Sequence, residues 1–180
     1  MEKTKKALAE AEAAKKTADE NLKKADAELE KANLAKQEAD KKVSEARANA
    51  EASATELETA NKNLKKATSV LEEKKAALKK LEEQYANGDA IENARKELEK
   101  AKTAYDAAEK SLKEKTAKVE AEKSEVNAKK AEADAKDEAF NKAKEKKEKA
   151  AGEAEKAKDA YDKANDELSE IELIDVKAKK

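Results

Sequence analysis

Carboxylates and amines dominate the side chains of this sequence that are able to do chemistry. The 180 residues include 43 Asp or Glu and 42 Lys or Arg, but no histidine and no cysteine. Histidine is the commonest general base and metal ligand, and cysteine is needed for thiol nucleophiles, thiolate metal sites and disulfides. Carboxylates occur throughout, so their spacing singles out no acid–base pair. We therefore expect no enzyme, no catalytic or metal-binding residue and no cofactor.

The charge balance and the apolar pattern exclude two classes of partner. The net charge is -1, whereas a phosphate-binding module would show a basic excess or a basic stripe. No apolar run approaches the roughly 20 residues of a membrane span. We expect no nucleic acid partner and no membrane insertion. The first 16 residues have no apolar region of the signal-peptide kind, so we expect either a cytosolic protein or a segment of a longer chain, and we favour the segment.

The composition favours long helices. Alanine supplies 42 of the residues, proline is absent and glycine occurs twice. Few larger apolar side chains remain to build an ordinary globular core, in which aliphatic and aromatic residues do most of the burial. A chain rich in Ala, Glu, Lys and Leu without helix breakers is typical of long helices or coiled coils.

One helix stop and one helix start lie near the middle of the chain. Asn87-Gly88 suits the left-handed residue that ends a helix. Asp89 is a good N-cap, and Glu92 three residues later completes a capping-box pattern. The alternative is a helix that runs through Gly88 at a cost of about 1 kcal/mol. Gly152 has no caps beside it and is interpreted as a tolerated glycine inside a helix.

Apolar residues repeat every seven positions in both halves, with a large residue at position a and alanine at position d. The phase changes between Tyr85 and Ile91, which are six residues apart. A continuous coiled coil would lose its seam there, whereas a hairpin would keep it. The predicted fold is therefore all-α, a long antiparallel two-helix coiled-coil hairpin. Its large seam residues are predicted to be Leu22, Leu29, Leu57, Leu64, Leu71, Leu78, Leu98, Tyr105, Leu112, Phe140, Tyr161 and Leu168, and Tyr85 is assigned to the same core packing.

The sequence predicts one hairpin over residues 1–180. Helix 1 is expected at about 3–86, the turn at 87–89 and helix 2 at about 90–172, with 173–180 either a tail or the start of a following domain. Each arm would span roughly 120 Å at about 1.5 Å per residue. The turn residues Asn87, Gly88 and Asp89 are the candidate contact site for a partner.

Charges at the edges of the seam suggest a pairing of the two helices. With large residues facing alanines, eight flanking pairs are opposite in sign, and one pair, Glu12–Glu172 at the open end, is alike. Such pairs set register more than they add stability. Examples are Glu82–Lys102 and Asp26–Lys158 along the e edges, and Glu56–Lys118 and Glu28–Lys146 along the g edges.

The seam is polar in its middle. Lys115, Glu122, Lys129 and Lys136 occupy successive d positions of the second helix. Lysine stems can lie along an apolar surface while their amines reach water. We interpret this stretch as a thin, solvated seam in preference to a flexible or partner-binding zone.

Phrases in the second half resemble the helical stalks of Gram-positive surface proteins. They are Leu98 to Leu112 (LEKAKTAYDAAEKSL) and Ala157 to Ala164 (AKDAYDKA). In style they are similar to the α-helical region of pneumococcal surface protein A and of related streptococcal and enterococcal adhesins. The resemblance implies a fragment of a cell-wall-anchored protein whose helical part projects from the surface and meets host molecules. The resemblance assigns no functional residue in this sequence.

The expected function is a non-catalytic structural and interaction module, a stalk or adhesive arm at a bacterial cell surface. Its protein partner is unidentified, either a host protein or neighbouring domains of a longer chain, and self-association is compatible with the sequence. The alternatives are a cytosolic coiled-coil adaptor that dimerises and a helical protein of the stress or desiccation type.

Overall fold

The chain folds into two long α-helices that pack against each other, in a computed structural model that describes residues 2–85 and 88–178, with side chains to residue 174. Helix α1 is Glu2–Gln84 and comprises 83 residues. Helix α2 is Asp89–Ala178 and comprises 90 residues. These are the two elements of the described chain, and the predicted all-α helical hairpin is confirmed.

Helix α2 is longer than the sequence suggested. It continues past residue 172 to Ala178, so residues 173–178 extend the helix. Gly152 lies inside α2, as interpreted from the sequence, and a Cβ added there would meet nothing within 4 Å. No packing contact therefore requires glycine at this position.

The core is a strip of alanines. Among the described residues, the buried apolar side chains are mostly alanine, joined by Leu71, Ile91 and Val119. Each helix has a single neighbour, so most large side chains in the seam keep one flank in water, while the small alanine methyl is almost entirely covered. The buried alanines are Ala18, Ala25, Ala39, Ala46, Ala60, Ala101, Ala133, Ala143, Ala150 and Ala154.

Residues 1–40 and 132–180 form one compact unit. Two ion pairs cross between its helices, Lys147 with Asp26 at 2.8 Å and Lys146 with Glu28 at 3.2 Å. The amine of Lys15 lies 4.9 Å from the centre of a tyrosine ring at position 161, close enough for a cation–π attraction. This unit is therefore joined by polar contacts as well as by its alanines.

Residues 41–131 form the second compact unit, which contains the turn. Its buried side chains include Leu71, Ile91, Val119 and one polar residue, Ser53, which is 1% exposed. Ion pairs also cross between its helices, and these join Lys74 to Glu97 at 3.6 Å, Arg95 to Glu82 at 3.2 Å and Lys115 to Glu56 at 2.6 Å.

Four lysines at seam positions reach out of the seam to a carboxylate on the opposite helix. Lys36 pairs with Asp137, and this hydrogen bond raises the pKa of the Lys36 amine above its ordinary value. The aliphatic stems of the four lysines cover the seam, while their amines remain near water. The other three pairs are Lys74–Glu97, Lys115–Glu56 and Lys147–Asp26.

The pairing along one edge differs from the prediction. The g-edge pairs Glu56–Lys118 and Glu28–Lys146 are present at 3.5 and 3.2 Å. On the e edge, Glu82 contacts Arg95 and not Lys102, and Asp26 contacts Lys147 and not Lys158. The observed partner lies nearer the turn in both cases. A heptad repeat is unchanged by a shift of seven residues, which is the spacing between Lys102 and Arg95. Lys147 is a seam lysine, and the prediction considered only edge residues as partners.

Candidate functional site

The turn is bounded by backbone hydrogen bonds on both sides. The N–H of Tyr85 donates to the Leu81 carbonyl at 2.9 Å, which completes the last turn of α1. The carbonyl of Gly88 accepts from the N–H groups of Ile91 at 3.0 Å and Glu92 at 3.3 Å. These bonds fix the end of α1 and the beginning of α2 within a few residues of each other.

The cap of α2 lies one residue earlier than predicted. The Gly88 carbonyl accepts the first helical hydrogen bonds, so Gly88 is the N-cap and Asp89 is the first helical residue. The prediction of Asp89 as the N-cap was wrong by one position. Glycine is an acceptable N-cap, and Asp89 still places a negative charge at the positive end of the helix dipole.

The predicted left-handed residue and the capping box are not seen at the described positions. No glycine in the described part of the chain has a positive φ, and Asn87 lies outside the described residues. Glu92 sits within 3.1 Å of Lys96. The negative charge of its carboxylate is thus placed beside a lysine one turn further along α2.

Tyr85 is exposed, contrary to its assignment to the seam. Its exposed fraction is 59%, whereas Ile91 on the other side of the turn is 6% exposed. Helix α1 ends at Gln84, so the heptad position of Tyr85 no longer faces α2. The heptad pattern gave no signal of this exposure, because it does not say at which residue α1 ends.

The surface beside the turn combines an aromatic ring with charges of both signs. Gly88, Asp89, Ile91, Glu92 and Arg95 line a shallow depression. Arg95 is held 3.2 Å from Glu82 on α1. We call the five lining residues together with Tyr85 the turn surface. It offers a phenol, two carboxylates and a guanidinium, which are groups that make hydrogen bonds and ion pairs with another protein.

The polar middle of the seam contains an ion network. Glu56 accepts from Lys115 at 2.6 Å and lies 3.5 Å from Lys118, whose amine is also 3.9 Å from Glu122. The hydrogen bond from Lys115, reinforced by its charge and that of Lys118, lowers the pKa of the Glu56 carboxyl. Lys115 and Glu122 are therefore accommodated by charged partners.

Three of the four polar d positions lie in the seam. Lys115, Glu122 and Lys129 are half-buried, whereas Lys136 is exposed and its neighbour Asp137 is half-buried. The structure thus departs from the heptad pattern at one position, and there the carboxylate that pairs with Lys36 replaces the lysine.

The large seam residues lie along the contact between the helices. Leu71 is buried, and the other predicted members are half-buried. A half-buried leucine, tyrosine or phenylalanine in this setting packs against the opposite helix. The half-buried members are Leu22, Leu29, Leu57, Leu64, Leu78, Leu98, Tyr105, Leu112, Phe140, Tyr161 and Leu168.

Comparison with family models, with curated proteins and with solved structures finds no match to this chain. Within residues 2–85 and 88–178, no cluster of three or more acidic, histidine or cysteine side chains is arranged to hold a metal ion. In the same part of the chain, neither helix has a stretch that is long and apolar enough to cross a membrane.

Proposed function

We propose that this chain is a structural and interaction module, an arm of a bacterial surface protein that contacts proteins of a host or of another cell through its turn surface. The observation that carries the proposal is the exposed Tyr85, four residues before the acidic start of α2. The resemblance of residues 98–112 and 157–164 to Gram-positive surface stalks supports the cell-surface setting.

The chemistry of the turn surface suits a protein partner. Tyrosine offers a large, rigid contact area with a hydrogen-bonding hydroxyl, and it is enriched among the residues that contribute most to binding between proteins. Asp89 and Glu92 add negative charge at the N-terminus of α2. The complementary surface would have a cleft for the ring and basic groups beside it, because charges of opposite sign steer encounter and fix orientation.

The test is binding of the purified chain to an array of host serum and extracellular-matrix proteins, repeated with Tyr85→Ala. Loss of a binding hot spot of about 2 kcal/mol weakens affinity roughly 30-fold. The matched control is Val70→Ala, which removes an apolar side chain that is 44% exposed in the same unit. We expect Tyr85→Ala to weaken binding and Val70→Ala to leave it unchanged.

Two results would contradict the proposal. If an array protein binds both variants as tightly as the natural chain, the turn surface is not the contact site. If the natural chain binds no array protein while a known stalk fragment used as the positive control does, the assignment as an adhesive arm fails.

A further inference from the structure

Ser53 is a buried hydroxyl within a helix. Eight serine and threonine side chains donate to the backbone carbonyl four residues earlier, among them Thr55 to Glu51 at 3.1 Å and Thr59 to Thr55 at 3.1 Å. This is the usual bond for such a residue inside a helix. The Ser53 hydroxyl makes no such bond, is 1% exposed and has no hydrogen-bond partner. Its oxygen therefore faces the seam.

Glu122 presents a second buried oxygen. Its Oε1 atom lies 3.9 Å from the Lys118 amine, and its side chain is 17% exposed. Its Oε2 atom is buried and has no hydrogen-bond partner. Leaving a buried polar oxygen unpaired is unfavourable, and more so for a charged group. Two such oxygens in one short stretch of seam call for a common explanation.

The contacts around these two residues bring them to the same level of the hairpin. Residues on either side of Ser53, Ala50 and Ala54, line one surface depression together with Lys123 and Val126, which lie beside Glu122 on α2. One turn further along α1, Glu56 lies 3.5 Å from the Lys118 amine that also approaches Glu122. Ser53 and Glu122 lie between these two contacts on facing stretches of α1 and α2, so their side chains enter neighbouring parts of the seam.

We propose that Ser53 and Glu122 hold one ordered water molecule inside the seam, bound between the Ser53 Oγ and the Glu122 Oε2. The water donates one hydrogen bond to the carboxylate, and it either donates a second hydrogen bond to the Ser53 oxygen or accepts one from the Ser53 O–H. It thus satisfies both oxygens at once, and buried waters typically make about three such bonds. The alanines at positions 50 and 54 leave room beside these side chains, and the Lys118 amine neutralises the other carboxylate oxygen.

The test is a count of long-lived bound waters by oxygen-17 relaxation dispersion, together with a high-resolution crystal structure of the natural chain. We expect one long-lived water per hairpin and a density peak within hydrogen-bond distance of both oxygens. Ser53→Ala removes one anchor with the smallest change in shape, and Ser53→Ala/Glu122→Leu removes both. The matched control is Ser124→Ala/Glu120→Gln, which changes an exposed serine and an exposed glutamate, both on α2.

The variants distinguish a water bound by Ser53 and Glu122 from a water bound elsewhere. Loss of the long-lived water in both Ser53 variants, with the control unchanged, supports the site. A crystal structure in which the Ser53 hydroxyl bonds directly to Glu122 overturns the proposal. Survival of the oxygen-17 signal of the long-lived water in the double variant also overturns it. Both measurements are made on folded chains, and the double variant exchanges a buried charge for a well-packed leucine, which is often neutral or stabilising.

Discussion

At the scale of single residues, each of four charged side chains in this seam forms an ion pair with a side chain on the opposite helix. Lys36, Lys74, Lys115 and Lys147 stand where a coiled coil usually has apolar residues, and each meets a carboxylate on the other helix. The arrangement keeps the ions near water and avoids the desolvation that makes deeply buried pairs costly. Ser53 and Glu122 are the exception, because each retains an unpaired buried oxygen.

The ion network around Glu56 makes stability depend on acid. Because the Lys115 hydrogen bond lowers the pKa of Glu56 in the folded chain below its ordinary value of 4.5, the ionised carboxylate stabilises the fold above that value. This contribution is lost as the pH falls through the lowered pKa. We expect the thermal midpoint of the natural chain to fall more between about pH 5 and pH 3 than that of Glu56→Gln, as measured by circular dichroism.

The control for this prediction is Glu120→Gln, at an exposed position of the same unit. It should keep the full acid dependence of the natural chain. Glu58 and Glu97 also have pKa values lowered by lysines at positions 62 and 100, and both remain in every variant. Equal falls in the midpoints of the natural chain and Glu56→Gln would show that the Lys115 pair adds no stability.

At the scale of helices, the heptad pattern carried most of the information. It predicted two helices, a break near Gly88 and the positions that are covered, because burial against one partner imposes a seven-residue period on the sequence. It did not predict the exact cap, since Gly88 and Asp89 are both acceptable N-caps. It also assigned Tyr85 to the seam, because a repeat alone does not say at which residue the helix ends.

Burial within the seam should decide which leucines matter for stability. Leu71 is 8% exposed, whereas Leu34 on the same helix is 60% exposed. Truncating a buried leucine to alanine costs the transfer free energy and leaves a cavity, together about 2–5 kcal/mol, and a narrow seam that can partly close puts Leu71→Ala near the lower end. We expect a loss of about 2 kcal/mol in urea unfolding for Leu71→Ala and less than about 0.5 kcal/mol for Leu34→Ala.

Leu34→Ala serves as the matched control, because it makes the same chemical change on the exposed face of α1 and keeps a good helix former. Comparable losses for the two variants would mean that the covered strip of the seam does not carry the stability. A large loss for Leu34→Ala alone would point to a second packing surface on that face.

At the scale of the whole molecule, the same heptads would also suit a dimer of continuous helices. The turn decides whether the seam forms within one chain or between two chains. The described ends of α1 and α2 are capped separately, by the Tyr85–Leu81 bond and by the Gly88 carbonyl. The seam of each compact unit is formed between the two helices of one chain. We therefore expect a monomer of 19.7 kDa by light scattering.

Cross-linking between the helices tests the same point independently of mass. The chain has no cysteine, so paired cysteines introduced at the positions of Glu28 and Lys146, or of Glu56 and Lys118, are the sole thiols. The Glu carboxylate and the Lys amine of each pair meet across the helices at 3.2 and 3.5 Å. Cysteines at these positions therefore face each other, and a bismaleimide long enough to replace the two longer side chains should join each pair within one chain and leave the mass on a denaturing gel unchanged. Glu28→Cys alone is the control for random collisions between chains. Products of twice the mass from both pairs, at dilutions where that control stays uncoupled, would mean that the helices pair between chains, and the adaptor hypothesis would then replace the hairpin arm.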